Sequence, residues 1–537
     1  MLRNDRLVMT GGSVSELNFG DLLDAVGEVA ADRTAIVYGD QSYSWRAFSE
    51  RSNRLARSLI AMGFRPGDKV AFYLRNSPAY VELLAACFKA RLVHVNVNYR
   101  YVDNELFYIF DNSDAALVVF DPEFRAQVDA LMPRLTKVRA FMQTKTLTDN
   151  GSAYSFEQAC AQGDGSSLQI QRSGEDLYFM YTGGTTGYPK AVMWPQNNRI
   201  EVIGMTAATS AREHARNVAD AGVWPVVLPA CPLMHSTGFT TSVSVLCNGG
   251  CVVMLPSARF DARECLREID RCGVTSVALV GDAFSVPILE VLRGEAAAYD
   301  LSRVQTLTSA GAMWSANNKI ELLEYFPNAV LRDSLGASEG SRLGSSEMRA
   351  GGSGRTGRFT AGANTKVLTE DHRELEPGSG EAGLIATTGP IPLGYYKDEE
   401  RNRKTFPIID GVRHAIPGDW CTLEADGTIN LLGRGSGCIN TGGEKVFPEE
   451  VEEALKVHPE VLDAAVFGVA DERWGEAVAG VIRVRTSAAA DEEAIRMDLR
   501  TRLAAYKCPK QLVVVEGSFR AENGKMDYAA AKRLYGV

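Results

Sequence analysis

Residues 181–192 read YTGGTTGYPKAV. Gly183, Gly184 and Gly187 leave backbone N–H groups with little side-chain cover, and such groups can wrap phosphate oxygens. Thr182, Thr185 and Thr186 add hydroxyl donors, and Lys190 adds a positive charge. The chemistry this suggests is the holding of a polyphosphate. The string is not a Walker A loop, because no Lys-Ser/Thr pair follows its last glycine. Taken alone, a glycine cluster of this sort is most often a surface turn.

The elements around the loop follow an alternating order. Residues 48–63 place Leu55, Leu59 and Ile60 on one helical face, with arginines opposite. Short apolar runs at 69–74, 92–98 and 115–120 read as buried strands, with a helix at 79–89 between the first two. This β-α-β order favours a parallel sheet covered by helices. After the loop, strands are expected at 250–255 and 276–281 and a helix at 262–272. Residues 365–388 change to short strands and turns, which suggests a small all-β unit. A glycine-dense stretch from Gly433 suits a hinge. Beyond it the pattern is α+β: helix 448–457, strands 464–469 and 477–484, helix 492–505 and strand 512–515. The expected fold is therefore α/β, with a large N-terminal domain (1–433) of helix-covered parallel sheets plus a small β unit. A small α+β C-terminal domain (434–537) completes it.

At 537 residues the chain is too long for one core. Its net charge of -10 argues against nucleic acid as a partner, since no basic surplus exists to neutralise phosphates. The ten cysteines are scattered, without zinc spacing, as expected for reduced thiols. No apolar leader segment opens the chain, and no stretch is long and apolar enough to span a membrane. These features together lead to the expectation of a cytoplasmic protein.

The loop closely resembles the Y-T-[SG]-G-T-T-G-x-P-K-G signature of the adenylate-forming superfamily, which includes acyl-CoA synthetases, peptide-synthetase adenylation domains and luciferase. Further strings resemble family motifs in the same order: LPACPLMHSTG ending at Gly238, SAGAMWS at 309–315, DSLGASE at 333–339, GEAGLI at 380–385, IPGDW at 416–420, LLGR ending at Arg434 and NGKMDY carrying Lys525. The resemblance implies a role for each. Glu339 would hold Mg²⁺ against the ATP phosphates. Thr185 and its loop neighbours Thr182, Gly183, Gly184, Thr186, Gly187 and Lys190 would hold the β- and γ-phosphates. Gly311, Leu335 and Ser338 would border the adenine site. Asp419 would bind the ribose hydroxyls, and Arg434 would add a charged contact there. Lys525 would bridge the substrate carboxylate and the α-phosphate. Gly443 would let the arm of coenzyme A pass close to the backbone. His235, Gly238, Gly311 and Gly336 would line the acyl pocket. Singly, each of these residues has a plainer reading, such as a turn aspartate or an exposed lysine. Joint order and spacing move them toward function.

The implied reaction has two steps: a carboxylate and ATP give acyl-AMP, then the CoA thiol displaces AMP. A rotation of the C-terminal domain separates the steps. Three positions depart from the pattern. Gly435-Ser436-Gly437 lacks the usual hinge Asp or Lys, Leu335 replaces an aromatic beside adenine, and Ala191 replaces the last glycine of P-K-G. If position 191 needs φ > 0 or tight clearance, alanine costs about 1–2 kcal/mol there. That motivates one alternative: a ligase that only makes thioesters from acyl-adenylate supplied elsewhere. The spellings of the loop, of VGDAF at 280–284 and of DERWGE at 471–476 resemble an actinobacterial branch acting on steroid and other bulky acids. The expected partner is a hydrophobic carboxylic acid, steroid- or terpenoid-like, with medium- or long-chain fatty acids second. Acyl transfer to a carrier protein is a further alternative, and a homodimer is left open.

Overall fold

The computed structural model describes residues 16–145, 153–184, 187–205, 207–352, 356–441, 444–471, 475–485, 491–521 and 524–537. Its centre is an eight-stranded sheet. Strands Val93–Asn96, Lys69–Tyr73, Ala115–Phe120 and Ala140–Gln143 run parallel, and the antiparallel hairpin Leu177–Gly184/Gly187–Pro195 lies beside Val93–Asn96. Ala115–Phe120 is buried at every residue, which explains its unbroken apolar run: both faces are covered.

A thirteen-stranded sheet stands against the first. Its parallel middle comprises Val330–Leu335, Thr306–Ala310, Ser276–Leu279, Val226–Pro229, Cys251–Met254 and Thr34–Tyr38. Helices Phe19–Val29 and Pro78–Lys89 lie within the core shared by these layers. Pro78–Lys89 is buried almost all round, even at Glu82 and Lys89. Those charges are paired: Glu82 takes Arg51 at 2.5 Å, and Lys89 takes Asp24 at 3.1 Å with Ser52 and Asn53. Buried charge survives only with such compensation.

Three expectations about the elements need correction. The strands near 365–388 do not form a separate unit. Arg358–Ala361, Thr428–Arg434, Asp419–Leu423, Ala382–Thr387 and Thr365–Leu368 extend the large sheet as an antiparallel wing, because Gly344–Met348 reverses beside Val330–Leu335 and hands on its free edge. Helix Trp45–Ala61 buries Leu55 and Leu59 but leaves Ile60 40% exposed, so the core-facing stripe is narrower than the pattern implies.

Residues from Ile439 onward build a five-stranded sheet: Glu444–Val446, Ile439–Thr441, Gly475–Val484 and Val461–Asp471 in order, with Gln511–Val514 parallel to Gly475–Val484. Helices Pro448–Lys456, Glu492–Arg500 and Tyr528–Tyr535 accompany it. The second helix ends at Arg500, five residues short of the expected 505, and gives way to turns before a 3₁₀ turn at Ala505–Lys507. All ten cysteines are free, and all but Cys272 and Cys438 are buried. Among the described residues no helix is long and apolar enough to cross a membrane.

Candidate active site

The glycine loop is the tip of the hairpin in the eight-stranded sheet. Tyr181 pairs with Ala191, Thr182 with Lys190 and Gly184 with Gly187. The register shifts between Thr182 and Gly184, so Gly183 sits at an irregularity of the first strand, just where the hairpin narrows to its tip. Gly183 is thus placed in a strand end. Thr185 and Thr186 lie outside the described residues. Ala191 is fully buried, has no left-handed φ, and its carbonyl accepts from the Tyr396 N–H at 2.9 Å. Position 191 is ordinary strand. The cost anticipated for an alanine there does not arise.

Glu339 is 9% exposed and follows the strand Val330–Leu335. Its Oε1 accepts a hydrogen bond from the Tyr395 hydroxyl at 2.8 Å. The Lys190 ammonium lies 5.3 Å from the centre of the Tyr395 ring. Tyr395 therefore connects the loop lysine to the carboxylate. It is held there by the short strand Gly394–Tyr395, which pairs with Met193 and Val192. Trp194 Nε1 donates to the Ser338 carbonyl at 2.9 Å, so the loop hairpin also steadies the segment that carries Glu339. The sequence reading missed Tyr395; in GYYKDEE no spacing distinguishes it from a core tyrosine.

Asp419 and Arg434 face each other across adjacent antiparallel strands, with Arg434 Nε 3.0 Å from Asp419 Oδ1. Asp419, with Glu339 beyond it, raises the arginine above its usual range. Lys525 is exposed, and the groups around it push it down from its ordinary value, first by desolvation and then by Arg434. Glu339 works in the opposite direction on Lys525. His235 is in the same field. Burial, then Lys525, then Arg100 bring it down to about 3, so its ring is neutral at physiological pH. Its Nε2 is buried without a hydrogen-bond partner.

The structure thus brings together Glu339, Arg434, Asp419, His235, Lys190 and Lys525. Gly311 has φ +87°, and a Cβ there would meet only Thr237 Oγ1, at 3.9 Å, which leaves open space beside the start of helix Ser236–Cys247. Gly336 is exposed, and a Cβ there would come no closer than 3.7 Å to another atom, the Gly340 carbonyl oxygen. Gly238 is small for another reason: a Cβ would lie 2.5 Å from the Pro232 carbonyl oxygen, so this glycine lets the helix pack on backbone. Leu335 is half-buried and packs against a cluster that includes Leu343 and Phe359. Gly443 lies outside the described residues.

A model of the AMP-binding enzyme family matches residues 23–396, and one of the AMP-binding enzyme C-terminal domain matches residues 450–525. The chain belongs to the AMP-binding enzyme family. Among members of this family, a 3-oxocholest-4-en-26-oate–CoA ligase of Rhodococcus rhodochrous is 38% identical over 543 aligned residues, covering 97% of this chain and 96% of the relative. A medium/long-chain-fatty-acid–CoA/3-oxocholest-4-en-26-oate–CoA ligase of Mycobacterium marinum is 39% identical, covering 96% of each. The fold agrees with that of an anthranilate CoA ligase in complex with anthranoyl-AMP, at a TM-score of 0.83 and 21% identity, over 98% of this chain and 99% of that one. ATP-bound MatB from Rhodopseudomonas palustris gives a TM-score of 0.78 at 24% identity, over 96% of this chain and 98% of that one.

Proposed function

We propose that this AMP-binding enzyme is an acyl-CoA ligase that converts a bulky hydrophobic carboxylic acid to its CoA thioester through acyl-AMP. The single observation that carries the chemistry is the chain from Lys190 over the Tyr395 ring to Glu339 beside the hairpin loop, with the Asp419–Arg434 pair, Lys525 and His235 in the same electrostatic field. The substrate carboxylate attacks the α-phosphorus of ATP and pyrophosphate leaves. The backbone N–H groups of Gly183, Gly184 and Gly187, with Thr185 and Lys190, receive the phosphates. Lys525 stabilises the charge that builds on the phosphoryl oxygens, and Asp419 with Arg434 holds the ribose. The neutral His235 ring borders the acyl group without adding a charge. In the second step the CoA thiol attacks the acyl carbonyl and AMP leaves.

The residues present fit a magnesium ion. Glu339 offers one buried carboxylate, already oriented by Tyr395, and Mg²⁺ is commonly held by one or two carboxylates plus phosphate oxygens and water. Such an ion would neutralise phosphate charge.

The acid is read from the relatives. Both ligases carry 3-oxocholest-4-en-26-oate in their names, and the second also carries medium- and long-chain fatty acids. A steroid acid is the first choice here and a fatty acid the second. We place the domain boundary at 434, with the 434–537 part turning between the two steps, Lys525 leaving the cleft and the Gly443 segment entering. The paired strand at Ala191, without a left-handed φ, speaks against a thioesterification-only enzyme. The test is mass spectrometry of CoA products from 3-oxocholest-4-en-26-oate and a fatty-acid series with ATP, Mg²⁺ and CoA, beside the same reactions started from synthetic acyl-AMP. Thioester from acid plus ATP is expected. Thioester from acyl-AMP alone would overturn the first half of the reading, and no thioester from either would overturn all of it.

A further inference from the structure

The VGDAF segment at 280–284 is not used by the chemistry above, yet it meets the loop that carries Lys525. Gly281 has φ +54° and caps helix Asp282–Glu295, so Asp282 opens that helix. Asp282 is 5% exposed and fully engaged. Its Oδ1 accepts from the Ser315 N–H and hydroxyl, both at 3.1 Å, and from Asn318 Nδ2 at 2.9 Å. Its Oδ2 faces Lys456 Nζ at 3.3 Å. Lys456 closes helix Pro448–Lys456, is equally buried, and also pairs with Glu453. A carboxylate at a helix N-terminus thus meets an ammonium at a helix C-terminus, the favourable sense for both dipoles.

The Lys525 loop rests on the same spot. A Cβ at Gly524, whose φ is +80°, would lie 2.6 Å from Ala283 Cβ and 3.1 Å from the Val280 carbonyl oxygen. The glycine permits contact with VGDAF. Arg520 NH1 donates to the Gly524 carbonyl at 2.9 Å, while Arg520 Nε and NH2 hold Asp463 at 2.6 and 2.8 Å. Ala521 N–H donates to the Lys525 carbonyl at 2.9 Å, and Gly524 N–H to the Ala521 carbonyl at 2.8 Å. Two contacts, one ionic through helix Pro448–Lys456 and one steric through Gly524 of the Lys525 loop, tie the smaller part to a single segment of the larger one.

We infer that Asp282 and Lys456 are positioning residues for acyl-AMP formation, forming with Gly524 a seat that holds Lys525 near Glu339 and Arg434. The inference rests on the two-step reading above. It adds a directional consequence: the seat is needed for the first step and must be released for the second. Removing one partner of a buried pair strands the other charge, so the seated arrangement loses most.

The experiment separates the half-reactions in Asp282→Asn, Lys456→Met and Lys456→Arg. Asp282→Asn and Lys456→Met should each slow acyl-AMP formation from acid and ATP by about tenfold or more in kcat, the scale of a buried pair broken. Thioester formation from synthetic acyl-AMP and CoA should be unchanged or faster. Lys456→Arg should retain acyl-AMP formation. The double variant Asp282→Asn/Lys456→Met should be no slower than the worse single one, as for residues acting as a unit. A loss shared equally by both half-reactions, or by neither, overturns the inference. A readout independent of turnover is amide exchange at 520–527 in the full-length protein. It should quicken in both charge-removing variants and not in Lys456→Arg; unchanged exchange overturns the seat even if the wild type activates none of the acids offered. A wild type that makes no acyl-AMP, with exchange behaving as expected, counts against the assigned reaction and leaves the seat supported.

Discussion

Single side chains carry the sharpest tests. Lys525→Ala removes the charge proposed to face the reacting phosphate, and acyl-AMP formation should fall about 100-fold or more, while thioester formation from acyl-AMP stays near wild type. Because Lys525 is held below its ordinary 10.5 by desolvation and Arg434, and acts protonated, acyl-AMP formation should decline as pH rises through a value under 10.5. Lys525→Arg should move that alkaline limb upward in a pH–rate profile. His94 is a second case. It lies fully buried against Phe72, Tyr80 and Phe239 and is brought by burial to about 3, from an ordinary value near 6.5. Above that ordinary value neither state takes a proton. Between the two values the unfolded chain protonates and the folded one does not, so stability is lost as pH falls across that window. His94→Phe should flatten the drop in urea midpoint between pH 7 and pH 4. Glu339, Asp419, Arg434 and Lys525 were legible in the sequence because each sits in a recurrent string. Tyr395 and Asp282 were not, because their partners lie 56 and 174 positions away.

At the scale of elements, the hairpin decides what loop residues can do. Ala191 belongs to a paired strand, so Ala191→Gly should leave ATP–pyrophosphate exchange no faster and should cost about 0.5–1 kcal/mol of stability, the usual penalty of glycine in a strand. Faster exchange in that variant would contradict the strand geometry. The two-residue strand Gly394–Tyr395 exists to deliver one hydroxyl to Glu339. Tyr395→Phe removes a hydrogen bond to a carboxylate, worth about 1.5–3 kcal/mol. Acyl-AMP formation should fall about tenfold or more, with a raised Mg²⁺ requirement in a metal titration. Buried strands such as Ala115–Phe120 were legible because continuous apolar runs leave few alternatives. The antiparallel wing at 358–434 was not, since strand pairing across some seventy residues depends on which sheet edge is free, and local pattern does not record that.

For the whole molecule, the two-part organisation is legible in the change of pattern after Gly433, while the contact between the parts is not. Ligands should expose that contact. ATP at a hundredfold excess over its Kd should stabilise the protein by about 2.7 kcal/mol, and Asp419→Ala should abolish most of that gain with little change in the ligand-free midpoint. The distribution of thiols matters at this scale too. Every cysteine but two is sealed in the interior, and one of the two, Cys438, directly follows the 3₁₀ turn Gly435–Gly437 beside the proposed domain boundary. The protein thus carries its own attachment point for a fluorescent dye. With Cys272→Ser in the background, an environment-sensitive fluorophore on Cys438 would turn each catalytic cycle into a colour signal, one change on adding acid with ATP and a second on adding CoA.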